Sequence, residues 1–506
     1  MLDPMPIAPP PPVSADFNLA AHVLARGAAS PDRIAMQILR LSGAERWSYG
    51  RLIAAVRGCG SLMLARGLVP GDRVLLRLGN QPEFPVAFLG AIAAGLVPVP
   101  TSSQLTGPEI TALAARLAPA LIVGAPGIAL PDHPAPVLPA ADLALAERLP
   151  PCDWHRGTAE RPAYIVLTSG TTGQPQAVVH AHRVILARAL MHQGWEGLTE
   201  TDRLLHAGAF NWTYTLGTGL MDPWTLGATA LIPGAGIAPG QLPLLLKRFD
   251  ATILAAAPGV IRQMLRAALP ALPRLRHGLS AGESLTPDLR AAWTAATGTD
   301  LHEALGMSEC STFISGSPDR PAPEGCIGFP QPGRRIAILD AEGPVAPGSP
   351  GELAIAHDDP GLMLGYLDDP AATAARLRDG WFLTGDLVQE TPEGALRYQG
   401  RANDLMNPGG YRVAPQEVEA ALAGLPGVAE IAVAEVAVKP GVTVICAFIV
   451  AQSEGEPVQI ERLSDFAAAR LARYKQPRIW HQIAALPRTA NGKLNRRALP
   501  PLWTPT

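Results

Sequence analysis

Apolar positions in this chain switch repeatedly between helical and extended spacing. In WSYGRLIAAVRGCGSLMLARG (47–67) they recur every three or four residues and stop at Gly67, which predicts a helix with a glycine terminus. DRVLLRL (72–78) behind it reads as a buried strand. The alternation returns at ALIVG (120–124), at AYIVLTSG (163–170), and at ATALIPG (228–234) followed by QLPLLLKRFDATILAAAPGVIRQMLRAAL (241–269). Repeated strand and helix units predict an α/β fold with mostly parallel sheets. FPVAFLGAIAAGLVPVP (84–100) is strongly apolar, but prolines and glycines interrupt it before the roughly 18 to 20 residues of a bilayer span accumulate. It reads as buried helix and strand, and no stable membrane insertion is expected.

After about residue 330 the pattern shortens to β-like pieces, RRIAILD (334–340) and GELAIA (351–356), between Gly and Pro turns. It changes again after LRYQGRANDLMNPGGYRV (396–413), where PQEVEAALAGLPGVAEIAVAEV and VTVICAFIV alternate helix and strand in about 100 residues, a usual size for a small domain. We place the boundary at Gly400, giving expected domains of 1–399 and 400–506. A chain of 506 residues exceeds what one core usually serves, so two or more domains are expected in any case. The proline cluster near the N-terminus reads as an extended tail without the basic and apolar regions of a secretory signal.

Composition narrows the function without fixing it. With 48% apolar and 17% charged residues, the chain has the balance of a globular enzyme. A net charge of -3 gives no general pull toward nucleic acid, and no nucleic-acid partner is expected. Cys59, Cys152, Cys310, Cys326 and Cys446 are far apart with no CxxC spacing, as in reduced thiols of a cytoplasmic protein.

The chemistry begins at LTSGTTGQPQAVVHAH (167–182). Thr168, Ser169, Gly170, Thr171, Thr172 and Gly173 follow a strand pattern and supply hydroxyls and flexible backbone N–H groups that can wrap phosphate oxygens. The G-K-[ST] ending of a Walker A loop is absent. Downstream, in order, stand SAGESL (280–285), LGMSE (305–309), GELAI (351–355), WFLTGDL (381–387), GRANDLMNPGGYRVAPQEVE (400–419) and LPRTANGKLNRRAL (486–499). Each alone has a bland reading as a turn or a solvated charge. Together with the hydroxyl loop, the set resembles the adenylate-forming superfamily of acyl-CoA synthetases, peptide-synthetase adenylation domains and beetle luciferases. The resemblance spans nearly the whole chain after the proline-rich tail.

The resemblance implies a large N-terminal domain with two stacked, mostly parallel sheets and a small β-barrel-like subdomain, followed by a small mobile α+β domain. It implies that Thr168 to Gly173 embrace the β- and γ-phosphates of ATP, that Gly282, Glu283 and Ser284 border the adenine, and that Leu305 and Gly306 lie beside it. Leu305 replaces a common aromatic, so aliphatic packing takes the place of stacking. Ser308 stands where a hydroxyl contacts the α-phosphate, and Glu309 matches the acid associated with Mg²⁺, a hard cation that prefers oxygen ligands. Asp386 matches the acceptor for both ribose hydroxyls and Arg401 a second ribose contact. Lys493 matches the lysine that reaches carboxylate and α-phosphate oxygens during adenylation, a task suited to a flexible point charge.

The implied reaction joins a carboxylate to ATP, releasing pyrophosphate, and then transfers the acyl group from AMP to the thiol of coenzyme A. Asn403 falls at the family's hinge, usually Asp or Lys, and Gly409 and Gly410 match the loop lining the pantetheine tunnel. Gln176 replaces the lysine that usually ends the phosphate loop, which is expected to weaken ATP binding while sparing the chemistry. Phe210, Asn211, Trp212 and Tyr214, in HAGAFNWTYTLGTG (206–219), are expected to wall the acyl pocket. Amino-acid-activating relatives carry Asp where this chain has Asn211, which disfavours an amino acid. The segment is similar to that of benzoate-type CoA ligases, so an aromatic or short-to-medium-chain acid is expected. The alternatives are a freestanding enzyme that loads a carrier protein, and a degenerate, non-catalytic nucleotide-binding homologue. Retention of Glu309, Asp386, Arg401 and Lys493 argues against the second.

Overall fold

The computed structural model describes residues 15–168, 175–402, 406, 413–439, 442–452, 459–473, 475–489 and 492–503. The chain divides into two compact units, one of residues 1–336 with 355–382 and the other of 337–354 with 383–506.

The first unit is built on a nine-stranded sheet: β1 (Ile34–Arg40), β2 (Gly43–Ser48), β9 (Arg203–His206), β10 (Thr229–Pro233), β11 (Ile253–Ala255), β12 (His277–Ala281), β13 (Asp300–Met307), β14 (Ser311–Ser315) and β15 (Phe329–Pro330). Their order is β15-β14-β13-β12-β11-β9-β10-β1-β2. From β13 to β1 every pairing is parallel; β2, β14 and β15 add antiparallel edges. Leu205, Leu231, Leu254 and Leu301 join one core, whereas Leu204, Ile253, Ala255 and Leu279 join another with Met191 and Trp195. The strands are therefore covered on both faces, the reason parallel strands read as continuous apolar runs. A second sheet of β3 (Arg73–Arg77), β4 (Val97–Pro100), β5 (Leu121–Gly124) and β6 (Val137–Pro139), in the order β4-β3-β5-β6, is parallel throughout. The apolar run after residue 83 forms a helix, Glu83–Ala93, buried along nearly all its length, and then β4.

The predicted helix around Leu52 spans Tyr49–Leu64, shorter than its pattern because Trp47 and Ser48 end β2. Ser48 accepts a hydrogen bond from Arg51 N at 3.2 Å and so caps the helix. A larger difference concerns AYIVLTSG, whose strand β7 (Pro162–Thr168) joins no parallel sheet. It pairs antiparallel with β8 (Gln176–Ala181), and β18 (Gly365–Tyr366) completes a three-stranded sheet in the order β18-β8-β7. Only residues 169–175 separate β7 from β8, whereas a parallel crossover needs about a dozen residues or more.

A five-stranded sheet orders β16 (Ile336–Leu339), β17 (Pro350–Ala356), β20 (Trp381–Glu390) and β19 (Leu377–Arg378), with β21 (Leu396–Arg401) also paired to β20. In the second unit β22 (Val428–Lys439), β23 (Val442–Ala451) and β24 (Ile479–Gln482) form a further sheet. Val433, Ile445, Ala447 and Ile449 pack with residues of helices Pro415–Ala421 and Ile460–Ala468, while Ala432, Ala434, Cys446 and Phe448 serve a separate core. Among the described residues no helix is long and apolar enough to cross a membrane.

Candidate active site

The strand order β10-β9-β11-β12-β13 fixes where a ligand can enter the large sheet. The chain runs from β9 outward to β10, then returns across β9 to β11 and continues the other way. Such a reversal opens a crevice at the carboxyl ends of the two diverging strands, here His206 of β9 and Ala255 of β11. The predicted acyl segment leaves β9 at this point. Phe210 is buried against Phe84, with ring centroids 5.0 Å apart, and Asn80 fastens its backbone N–H at 3.1 Å. Asn211 and Trp212 are half-buried before the short helix Thr213–Leu216. Tyr214 lies edge-on to His206 at 4.3 Å, stands 5.6 Å from Trp195, and donates from its hydroxyl to Leu279 O at 3.0 Å. Burial lowers the His206 pKa to about 3, with Arg188 adding to the effect, so its ring is neutral.

Two strands away, β13 carries Leu305 and Gly306 toward Ser308 and Glu309. A Cβ on Gly306 would stand 2.5 Å from Ser311 O, so only glycine fits the register shift between β13 and β14. Ser308 and Glu309 are fastened to the β7–β8 hairpin. His180 of β8 donates from Nε2 to Ser308 O at 2.7 Å, and Tyr366 of β18 donates its hydroxyl to Glu309 Oε1, also at 2.7 Å. Burial lowers the His180 pKa to about 4, so the ring is neutral and bears its proton on Nε2, the nitrogen facing a carbonyl. Desolvation, then the Glu309 charge, raises the Tyr366 phenol and keeps it a donor. The hairpin whose strands residues 169–175 connect is thus tied to Ser308 directly and to Glu309 through β18, which pairs with β8.

Gly282, at φ +94°, turns the chain out of β12 into Glu283 and Ser284. Behind this turn Glu303 accepts from Leu285 N at 2.9 Å and stands 3.4 Å from Arg290 Nη2. Burial raises its pKa from 4.5 to about 7 against the opposing pull of those partners. The folded protein keeps this proton where the unfolded chain has released it, so folding loses stability as pH rises from 4.5 through 7. The full loss is about 3 kcal/mol. Glu303→Gln should remove that slope: its stability relative to wild type rises between pH 5 and pH 8 in urea unfolding. Parallel pH profiles for the two proteins would count against a buried, neutral Glu303.

In the second unit Asp386 is buried on β20, in register with Arg401 of β21. Its Oδ1 is 2.8 Å from Arg401 Nε and accepts from the Tyr398 hydroxyl at 3.1 Å, while Thr384 Oγ1 accepts from its backbone N–H. Lys493 is exposed in a turn closed by Thr489 N donating to Lys493 O at 2.7 Å. Thr168 ends β7 opposite Gln176, which begins β8. Ser169, Gly170, Thr171, Thr172 and Gly173 of the loop, together with Asn403, Gly409 and Gly410, lie outside the described residues.

Sequence reasoning missed His180, Tyr366, Tyr398 and Asn80. Their signal is weak: Tyr366 sits in GLMLGYLDDP among ordinary turn residues, and its role appears only when β18 pairs with β8. Also missed was a buried cluster behind the acyl segment. Arg188 pairs with Asp222 through Nε to Oδ1 at 2.8 Å and through Nη2 to Oδ2, and also donates to Thr218 and Ser311. Burial opposes ionisation of Asp222, but Arg188 holds its carboxyl well below the ordinary range. Burial, then the Asp222 charge, raises Glu196 well above the ordinary range.

Comparison with known proteins agrees with this geometry. The chain is 31% identical to the 3-hydroxybenzoate–CoA ligase of Aromatoleum sp. (strain CIB), over 90% of this chain and 91% of the relative. It is equally 31% identical to the human mitochondrial acyl-coenzyme A synthetase ACSM2A, over 86% and 80%. Its fold superposes on crystal structures of a benzoate CoA ligase from Burkholderia xenovorans LB400 with a TM-score of 0.85 and 27% identity, covering 96% of this chain and all of that one. The AMP-binding enzyme family matches residues 24–367 and the AMP-binding enzyme C-terminal domain matches residues 417–493, so the chain belongs to the AMP-binding enzyme family.

Proposed function

We propose that this protein is an ATP-dependent carboxylate–CoA ligase that makes an acyl-adenylate and pyrophosphate, then acyl-CoA and AMP, from an aromatic or short-to-medium-chain acid. The observation that carries the reading is the fastening of the hydroxyl-loop hairpin to Ser308 through His180, and of Glu309 to the neighbouring β18 through Tyr366. Strands flanking a phosphate-wrapping sequence are thereby linked to Ser308 and Glu309, which supports a reading in which a nucleotide triphosphate meets the loop hydroxyls, a serine hydroxyl and a carboxylate. Thr168 and the loop residues Ser169 to Gly173 hold the phosphates, Gly282 to Ser284 with Leu305 and Gly306 border the base, and Asp386 with Arg401 orients the ribose. Asp386 is already aligned by Tyr398, so it accepts ribose hydroxyls without reorganising.

Glu309, a buried carboxylate held by the Tyr366 hydroxyl, would hold Mg²⁺, an ion that binds through one or two carboxylates plus substrate phosphates. When bound, the ion neutralises charge on the departing pyrophosphate. Lys493 meets the reacting carboxylate and α-phosphate during adenylation, and residues 400–506 then move about Asn403 so that coenzyme A passes Gly409 and Gly410. The protein acts in the cytoplasm on this reading, and its five free, buried cysteines are in keeping with any reducing compartment.

Pyrophosphate release from Mg-ATP with a panel of carboxylic acids, each with and without coenzyme A, tests the reading. CoA-dependent turnover of one acid class supports it; release without any thioester formation counts against it. Gln176 refines the test. Arg116 donates to Pro175 O at 3.1 Å, so a guanidinium stands at the foot of the loop although position 176 is neutral. Gln176→Lys should lower the KM for ATP about three- to tenfold with kcat nearly unchanged. An unchanged KM and unchanged pyrophosphate release would show that the missing lysine costs nothing.

A further inference from the structure

His206, Ala255 and Leu279 stand in register across β9, β11 and β12, on the face that also holds Trp195 and Tyr214. Trp195 and Tyr214 have settled their polar atoms, Trp195 Nε1 on His302 O at 3.2 Å and the Tyr214 hydroxyl on Leu279 O. His206 and Thr215 have not. Both ring nitrogens of His206 and the Thr215 hydroxyl are buried with no hydrogen-bond partner among the described residues. The hydroxyl and Nδ1 converge on Gly208: a Cβ there would lie 2.2 Å from Thr215 Oγ1 and 3.2 Å from His206 Nδ1. Gly208 therefore lets the Thr215 hydroxyl and the His206 ring edge approach one another across a position that any side chain would fill.

An unpaired buried polar group costs about 1 to 3 kcal/mol, and three such atoms gathered in one place call for a cause. The place is the crevice at the carboxyl ends of β9 and β11, where a ligand binds in a sheet of this order. Apolar neighbours on the same face, among them Ala255, Ala281 and Tyr214, suit a flat ring next to the polar pair. The neutral imidazole offers one acceptor and one donor nitrogen, and the threonine hydroxyl can do either. A hydroxyl or amino group can donate to one and accept from the other. A bare phenyl or alkyl group would leave both unpaired.

We propose that His206 and Thr215 are specificity-determining contacts that read a hydroxyl or amino substituent, so that the preferred substrate is a hydroxylated or aminated aromatic acid. This rests on the ligase reading above and names the substrate class of the same site.

The test is kcat/KM for thioester formation with Mg-ATP and coenzyme A, across benzoate, the three hydroxybenzoates, the three aminobenzoates and hexanoate. At least one substituted benzoate should exceed benzoate about tenfold or more, because a site built to hydrogen-bond a group rejects the analogue that lacks it. Thr215→Val should reduce that preference, Thr215→Ser should keep it, and His206→Phe should reduce it as Thr215→Val does. The hydroxy and amino arms distinguish which group is read. Should His206→Phe fail to fold, the two Thr215 variants decide the matter. Turnover of benzoate with no preference for any substituted acid, or a preference that survives Thr215→Val, overturns this inference alone. Absence of thioester from every acid in the panel overturns the ligase reading and this inference with it.

Discussion

Lys493→Ala is expected to slow acyl-adenylate formation about 10²- to 10³-fold, the size of effect seen when one well-placed charge-stabilising donor is removed from a reacting centre. Negative charge builds on the α-phosphate oxygens as the carboxylate attacks, and an ammonium on a flexible stem can meet phosphate and carboxylate oxygens together. The backbone around Lys493 suits delivery of that group. Gly492 takes φ +80°, Thr489 N donates to Lys493 O, Arg488 bridges to Leu494, and the Lys493 side chain is exposed. Lys493→Arg should rescue poorly, because a planar guanidinium is not a point charge. Isotope exchange between pyrophosphate and ATP measures the first half-reaction; thioester formation from preformed acyl-adenylate and coenzyme A measures the second. A loss confined to the first half supports the assignment. Equal losses in both halves would give Lys493 a structural role, and no loss would remove it from the chemistry.

Much of this molecule could be read from its sequence, for identifiable reasons. Units such as ATALIPG with the helix and strand after it were legible because both faces of the large sheet are covered, which leaves unbroken apolar runs at strand length. AYIVLTSG misled for the same reason: a buried strand looks alike in a parallel sheet and in a hairpin, and the length of the connection to β8 decides between them. In the candidate site, Glu309 and Asp386 stood out because charged side chains in fixed motifs draw notice. Tyr366 and Tyr398, which position them, and His180, which holds the Ser308 carbonyl, did not, since each acts through a contact across strands that no local spacing encodes. His206 and Thr215 were quoted within the acyl segment, yet nothing in the sequence shows that their polar atoms lack partners. That property exists only after β9 and the helix Thr213–Leu216 are packed together.

The buried pair Arg188–Asp222 carries the largest expected effect on stability. Asp222 begins the helix Asp222–Leu226, Arg188 lies in the helix Val184–Ala189, and Thr218 and Ser311 add hydroxyls from two further segments. A Cβ on Gly217 would stand 1.9 Å from the Arg188 guanidinium carbon, so glycine is required where the chain passes over this charge. Taking two charges out of water costs several kcal/mol each, and only their mutual attraction and full hydrogen bonding offset it. Asp222→Ala removes the offset and leaves Arg188 buried without its bidentate carboxylate partner, with an expected loss of about 3 to 5 kcal/mol. Arg188→Met combined with Asp222→Leu removes both charges and should lose much less than the single change, a non-additivity that marks direct coupling. Urea unfolding followed by tryptophan fluorescence is suited to the comparison, because Trp195 and Trp224 are buried within a few residues of Glu196 and Asp222. If the double variant proves as unstable as Asp222→Ala, the pair contributes through shape and packing and not through its charges. If the double variant recovers stability but its thioester formation stays slow, the pair is retained to hold the acyl segment in register, because it then adds order where it adds no net stability.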